Sequence, residues 1–286
     1  MHQRSIGTQP TSAIGLGAMP LSASPPPPRA RALHTICAAL DAGVRLIDTA
    51  DAYSPDGNAG HNEEVVAAGL RAWAGPAEEV LVATKGGHVR TPGGGWELDG
   101  RPEHLRTACE ASLARLGGEA LGLYQLHRPD PDVPFVESVG ALRELLDAGK
   151  IRFAGVSNVD CDQIRAAAEI LPLASVQNEL APRFRSSLDE LRLCAQRGIA
   201  FLPWSPLGGL DEAGDLGSRH AAFAQVARER GRSPQAVALA WLLALDPVVV
   251  PIPGSSRPET ARDSAAAADL VLTPGELARL DAGQET

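Results

Sequence analysis

The sequence predicts an α/β protein, a (β/α)8 TIM barrel forming a single domain over residues 1–286 with a small N-terminal cap. Three observations predict it. Eight short apolar runs punctuate the chain at fairly even intervals. Stretches with helical periodicity fill the gaps. Several of those stretches end in glycine and pass straight into the next run. Alternation of strand and helix implies a parallel sheet with right-handed crossovers. Eight units in a chain of this length average roughly 36 residues each, which suits a closed α/β barrel.

The apolar runs lie at 13–17, 44–48, 80–84, 121–127, 151–156, 174–177, 199–203 and 248–252. They are short and several are rich in Val and Ile, as buried parallel strands are. Helical spacing appears in Leu33, Ile36, Cys37 and Leu40, and in Leu105, Ala108, Cys109, Leu113 and Leu116. It recurs in Val139, Leu142 and Leu146, and in Val237, Ala240, Trp241 and Ala244. The stretches 41–43, 147–149 and 196–198 each place glycine where a left-handed residue stops a helix. Ser233-Pro234 reads as an N-cap followed by a first-turn proline, and Thr273 to Glu276 as a capping box. A doubly wound sheet would carry GxGxxG after its first strand, and the stretch from Gly15 to Pro20 lacks the third glycine. Segments 54–60 and 92–95 read as irregular loops. Residues 1–11 are expected to form the cap, as a hairpin under the barrel.

Lys and Arg total 26 against 35 Asp and Glu, a net charge of -9, which argues against a nucleic-acid partner. No stretch nears the ~18 apolar residues of a membrane span. The N-terminus is polar and lacks the apolar core of a signal peptide. The four cysteines form no CxxC, so neither a disulfide scaffold nor a zinc cage is expected, and a reducing cytoplasm is the simplest location. A metal-dependent barrel is disfavoured, because the strand ends show no HxH and no carboxylate cluster.

Barrel chemistry sits at the C-terminal ends of the strands. Those ends carry Asp48, Lys85, His127, Ser157 with Asn158, Gln177, Trp204 with Ser205, and Gly254 with Ser255; Tyr53 lies in the loop after Asp48. Each has an ordinary reading alone: a helix cap, a solvated strand end, a loop histidine, a rim aromatic. Together they put a phenol, an amine, an imidazole and a carboxylate at one mouth. That set suits proton transfer to a carbonyl oxygen. A phenol is a poor acid–base catalyst at neutral pH, and a nearby buried ammonium stabilises its phenolate and lowers its pKa. A carboxylate holds the ammonium, and a histidine offers a hydrogen bond to the substrate oxygen.

The motifs at 43–53 (GVRLIDTADAY), 81–86 (LVATKG), 123–129 (LYQLHRP), 155–158 (GVSN), 176–178 (VQN) and 204–208 (WSPLG) resemble the aldo-keto reductase superfamily, in family order and over nearly the whole chain. The resemblance implies an NADPH-dependent carbonyl reductase without metal. Tyr53 would be the general acid, Lys85 would lower its pKa, Asp48 would pair with Lys85, and His127 would orient the carbonyl. Ser157, Asn158 and Gln177 match residues that hold the nicotinamide carboxamide. Trp204 stands where members often stack a tyrosine on the nicotinamide ring. Ser205, Leu207 and Gly209 fall where the family wraps the pyrophosphate, and Gly254, Ser255 and Arg257 where it grips the adenosine 2′-phosphate. Gly254 replaces a lysine of some branches, and Asp263 with Ser264 replaces a frequent Glu-Asn against the adenine. Candidate substrate contacts are Met19, Pro20, His88, Trp96 and Arg128. The expected partner is a small carbonyl compound; an aromatic content of 4% weakly disfavours steroids. Oligomeric state is not legible. The alternative that the resemblance carries is an NADPH-binding regulatory or sensor subunit with little turnover.

Overall fold

In the computed structural model, which describes residues 1–55, 59–91 and 95–282, the chain opens with an antiparallel hairpin of β1 (Gln3–Ile6) and β2 (Gln9–Ser12). A parallel sheet follows. Its strands are β3 (Leu16–Gly17), β4 (Leu46–Asp48), β5 (Leu81–Gly86), β8 (Leu121–Leu126), β9 (Ile151–Ser157), β10 (Leu173–Gln177) and β11 (Ala200–Phe201), paired side by side in chain order. The interruption after β5 is a short antiparallel ribbon of β6 (His88–Arg90) and β7 (Trp96–Leu98). The expected loops at 54–60 and 92–95 fall partly outside the described residues, at 56–58 and 92–94.

Helices α1 (Arg29–Asp41), α2 (His61–Ala72), α3 (Pro102–Leu116), α4 (Phe135–Asp147), α5 (Cys161–Ile170) and α6 (Leu188–Arg197) alternate with the strands. Next come α7 (Leu216–Arg219), α8 (Ala221–Arg230), α9 (Pro234–Leu245), α10 (Pro258–Ala266) and α11 (Pro274–Ala282). Their ends match their chemistry. Gly43, Gly149 and Gly198, just past α1, α4 and α6, all have positive φ, which costs glycine no clash. Ser233 Oγ accepts from Ala236 N at 2.9 Å and starts α9. Thr273 and Glu276 exchange the two bonds of a capping box at α11.

The expected eighth strand, 248–252, forms no ladder. Isolated parallel bridges link Val249 to Phe201 and Gly254 to Gly17. On one side Val250 N and Ile252 N donate to Phe201 O and Pro203 O; on the other, Pro251 O and Pro253 O accept from Gly15 N and Gly17 N, both at 2.9 Å. Pro251 and Pro253 have no N–H to return, so a continuous ladder cannot form.

The core is layered by the two faces of the sheet. The outer face packs against the helices, where Tyr124, Leu126, Val156, Val176 and Phe201 join Trp241 and Phe223. The inner face holds a smaller aliphatic cluster that includes Leu46, Leu81, Ala83, Leu123, Ala200, Leu202 and Ile252, and Ile6 of the N-terminal hairpin belongs to it.

Candidate active site

Near their C-terminal ends the strands change the character of their inner face. Leu46 is followed two residues later by Asp48, Ala83 by Lys85, and Leu123 by Gln125. Side chains on one face of a strand recur every second residue, so each polar group stands above an aliphatic floor. On β10 a register shift between Leu173 and Ser175 turns both Ser175 and Gln177 to that face.

Lys85 and Gln125 are fully buried and Asp48 nearly so. A buried charge needs a partner. Lys85 Nζ donates to Asp48 Oδ2 at 2.7 Å, to Thr49 O at 2.8 Å and to Tyr53 OH at 3.4 Å. Those three bonds use every hydrogen of the ammonium. The Tyr53 segment is held by its backbone, which bonds Ala50 O and Asn62 N. Buried Asn62 ties the region together. It accepts from Thr49 Oγ1 and donates to Ala18 O and Ser22 Oγ.

His127 is anchored by its N–H to Gly86 O at 2.9 Å. Its ring meets the Tyr53 ring edge to face at 5.5 Å, and the His88 ring lies 4.2 Å away. Nδ1 of His127 is buried without a partner among the described residues. Burial, with Lys85, His88 and Arg128 nearby, drives the imidazole well below the usual histidine range, so it is neutral at pH 7. Burial with Arg128 and Lys85 likewise takes His88 down to about 4.

Lys85 acts on Tyr53 in the direction the resemblance implies, and burial acts against it. Burial raises the phenol above the usual tyrosine range; Lys85 pulls the other way and does not prevail, while Asp48 adds to the rise. At neutral pH the group is therefore a phenol, with a proton to give. Burial is also the largest influence on Lys85 and lowers it, but Asp48 and Tyr53 together outweigh that and hold the ammonium above its ordinary value.

Beside this cluster lie the residues assigned to a dinucleotide. Ser157 Oγ donates to Gln177 O at 2.7 Å. Asn158 has φ 58°, donates through Nδ2 to His127 O at 2.9 Å, and donates its own N–H to Gln177 O. Gln177 Nε2 bonds Asp48 Oδ1 at 2.8 Å and Gln125 Oε1 at 3.0 Å. Trp204 is half-buried, and its Nε1 is shielded without a partner among the described residues. The turn through Ser205, Leu207 and Gly209 has positive φ at Ser205, Gly208 and Gly209. Gly254 bridges to Gly17, and a Cβ there would come within 2.8 Å of Pro20, which explains why a larger residue is missing. Ser255 is buried; Arg257 is exposed and loosely paired with Glu259 at 3.7 Å. Asp263 is used between helices, accepting from Ser233 Oγ at 2.5 Å.

Among the candidate substrate contacts, His88 is brought against His127, and Trp96 follows it at 5.3 Å. Arg90 lies 4.3 Å over the Trp96 ring. Met19 and Arg128 are exposed. Among the described residues no cluster of three or more His, Cys, Asp or Glu is placed to hold a metal, and no described helix is long and apolar enough to cross a membrane. Sequence reasoning missed Thr49, which acts through its backbone carbonyl and so leaves no side-chain signal. It also missed Gln125, whose signal was available: a polar residue on the inward phase of an apolar run.

The strand ends of a parallel α/β sheet thus bring together a buried Lys–Asp pair, a phenol and a neutral imidazole. Residues 13–285 match the profile of the Aldo/keto reductase family. An uncharacterized oxidoreductase of Schizosaccharomyces pombe is 33% identical over 280 residues, covering 96% of this chain and 88% of that protein. A glycerol dehydrogenase from Gluconobacter oxydans superposes with a TM-score of 0.85 at 28% identity, over 98% of this chain and 94% of the other. An aldo/keto reductase from Klebsiella pneumoniae, solved with NADP and acetate, does so with a TM-score of 0.81 at 30% identity, over 99% and 95%. The chain belongs to the aldo/keto reductase family, a family of oxidoreductases.

Proposed function

We propose that this protein is an NADPH-dependent reductase that converts a small aldehyde or ketone to the alcohol. The observation that carries this reading is the Lys85 ammonium bonded at once to Asp48 Oδ2 and Tyr53 OH, with the His127 ring against Tyr53. The chain is read as one domain, a closed (β/α)8 barrel with segment 248–252 as its eighth strand and the N-terminal hairpin capping its base.

The residues present fit a nicotinamide dinucleotide. The shielded Trp204 Nε1 and His127 Nδ1 both lack partners among the described residues. The turn after Ser205 has positive φ at Ser205, Gly208 and Gly209, and its two glycines leave room for a phosphate to approach the backbone. Arg257, exposed and weakly paired, is free to fork a 2′-phosphate. The Klebsiella relative is solved with NADP, which supports the phosphorylated form. NADPH, when bound, supplies hydride to the carbonyl carbon. Tyr53 gives its phenolic proton to the carbonyl oxygen. Lys85 offsets the negative charge left on Tyr53, and Asp48 keeps Lys85 in place. His127, neutral, donates a hydrogen bond to the same oxygen. Ser157, Asn158 and Gln177 hold the carboxamide, Trp204 stacks on the ring, Ser205, Leu207 and Gly209 wrap the pyrophosphate, and Gly254, Ser255 and Arg257 take the 2′-phosphate. His88 and Trp96 on the β6–β7 ribbon shield the oxygen from water. All four cysteines are free thiols, in keeping with a cytoplasmic location.

The test is consumption of NADPH, and separately of NADH, against a panel of aldehydes, sugars, keto acids and pyridoxal, with 4-nitrobenzaldehyde as reactive control. Turnover with NADPH supports the reading. Tight NADPH binding with no turnover on any carbonyl overturns it and favours a regulatory subunit.

A further inference from the structure

We infer that Gln125 is a positioning residue that decides which end of the Gln177 amide faces the nicotinamide. The inference rests on the cofactor reading above. It begins with a row of residues in register across the sheet. Lys85 on β5 pairs with Gln125 on β8, Gln125 with Gly155 on β9, and Gly155 with Ser175 on β10. Gln125 Nε2 donates to Ser175 Oγ at 3.1 Å, reaching past β9 to a strand it does not pair with. Glycine at 155 makes that reach possible. A Cβ there would overlap Ser175 Oγ and come within 3.0 Å of Gln125 Cγ. Gly155 has no positive φ among the glycines that do, so the missing side chain, not backbone freedom, is what the position requires.

The bonds form a chain with one direction. Lys85 donates to Asp48, which is acceptor-only while ionised. The other Asp48 oxygen therefore faces Gln177 Nε2, not its carbonyl. The second hydrogen of Nε2 goes to Gln125 Oε1. Gln125 Nε2 then faces Ser175. Reversing the Gln177 amide would set its oxygen against a carboxylate oxygen and an amide oxygen at once. Its Oε1 is thus left as the acceptor presented to a ligand. A carboxamide offers N–H donors to that oxygen; a methyl ketone offers none. Without Gln125 one Nε2 hydrogen loses its partner, and the amide is held from one side only.

The experiment measures affinities of the wild type and variants for three probes: NADP+, its 3-acetylpyridine analogue, in which a methyl ketone replaces the carboxamide, and adenosine 2′,5′-bisphosphate. The wild type should prefer NADP+ to the analogue by about tenfold. In Gln125→Met, which keeps volume but offers no acceptor, that ratio should fall to within about twofold, with affinity for the bisphosphate unchanged. Gln125→Glu keeps an acceptor oxygen toward Gln177 and should hold the ratio. Ser175→Ala removes only the anchor and should lower the ratio part of the way, so it decides the matter if Gln125→Met does not fold. A wild-type ratio in both Gln125→Met and Ser175→Ala overturns the inference and leaves the cofactor reading standing. Failure of the wild type to bind NADP+ overturns both.

Discussion

Tyr53 and Lys85 have opposing needs, and burial sets the balance between them. The phenol sits above its ordinary range because its own desolvation exceeds the pull of Lys85. That favours the acid form, which the reductive direction requires. Tyr53→Phe removes only the hydroxyl; it should leave NADPH affinity intact and lower kcat by about 10²–10⁴, read from binding and steady-state assays side by side. Lys85→Met lets the phenol rise further. Alcohol oxidation, which needs the phenolate, should then lose more than reduction, and its pH optimum should move upward. Matching pH–rate profiles in wild type and variant would refute the tuning. The same substitution strands Asp48 in a dry site, and unfolding in urea should show a loss of about 3–5 kcal/mol. Asp48, Lys85 and His127 could be singled out because they end or directly follow apolar runs, and Tyr53 because it lies in the loop after Asp48. The size of the burial effect on Tyr53, which outweighs Lys85, was not legible, because desolvation is a property of what surrounds the phenol and no spacing encodes it.

Elements were legible where local chemistry decides them. Ser233 caps α9 with its own hydroxyl, a bond made within one turn. Ser233→Ala should cost about 1 kcal/mol, measured as a shifted denaturant midpoint with unchanged slope; no shift would mean that the tie to Asp263 and the cap are both dispensable. Elements defined by distant partners were less legible. Segment 248–254 has strand-like residues and bonds on both sides, yet Pro251 and Pro253 thin its pairing to bridges. The β6–β7 ribbon was not anticipated, only the loop at 92–95 between its strands, because a two-strand ribbon this short is stabilised by its docking, with His88 on His127 and Arg90 over Trp96.

At the scale of the molecule, one buried group should leave a mark on pH stability. Asp51 is 6% exposed, and its Oδ1 has no partner among the described residues. Burial and the charge of Glu63 push its carboxyl up to about 8, against smaller opposing pulls from Arg115 and Lys85. Glu63, itself buried, is held by Arg115 at 2.6 Å and by Thr84 at 2.6 Å, and Asp51 beside it keeps a proton at neutral pH. The folded state binds that proton where the unfolded chain has released it. Stability should therefore fall as pH rises from about 4 to about 8, and the fall from this source should stop above that. Asp51→Asn should flatten that slope and be the more stable protein at pH 8 by about 2 kcal/mol or more. Equal wild-type stabilities in urea unfolding at pH 4.5 and pH 8, or the same pH-dependent change in Asp51→Asn, would sink the assignment.

The sequence alone determined the alternation of strand and helix, the glycine stops and polar caps, and the set of polar residues at the strand ends. Each of these is written within a few neighbouring residues, since backbone sterics and side-chain periodicity act locally. The tertiary structure alone decided which polar atoms meet across strands. The line from Lys85 through Asp48, Gln177 and Gln125 to Ser175 joins residues as far apart as 129 positions, and the gap at Gly155 has meaning only once Ser175 lies beyond it. Hydrogen bonding and desolvation depend on distances of a few ångströms in space, and separation along the chain does not report them.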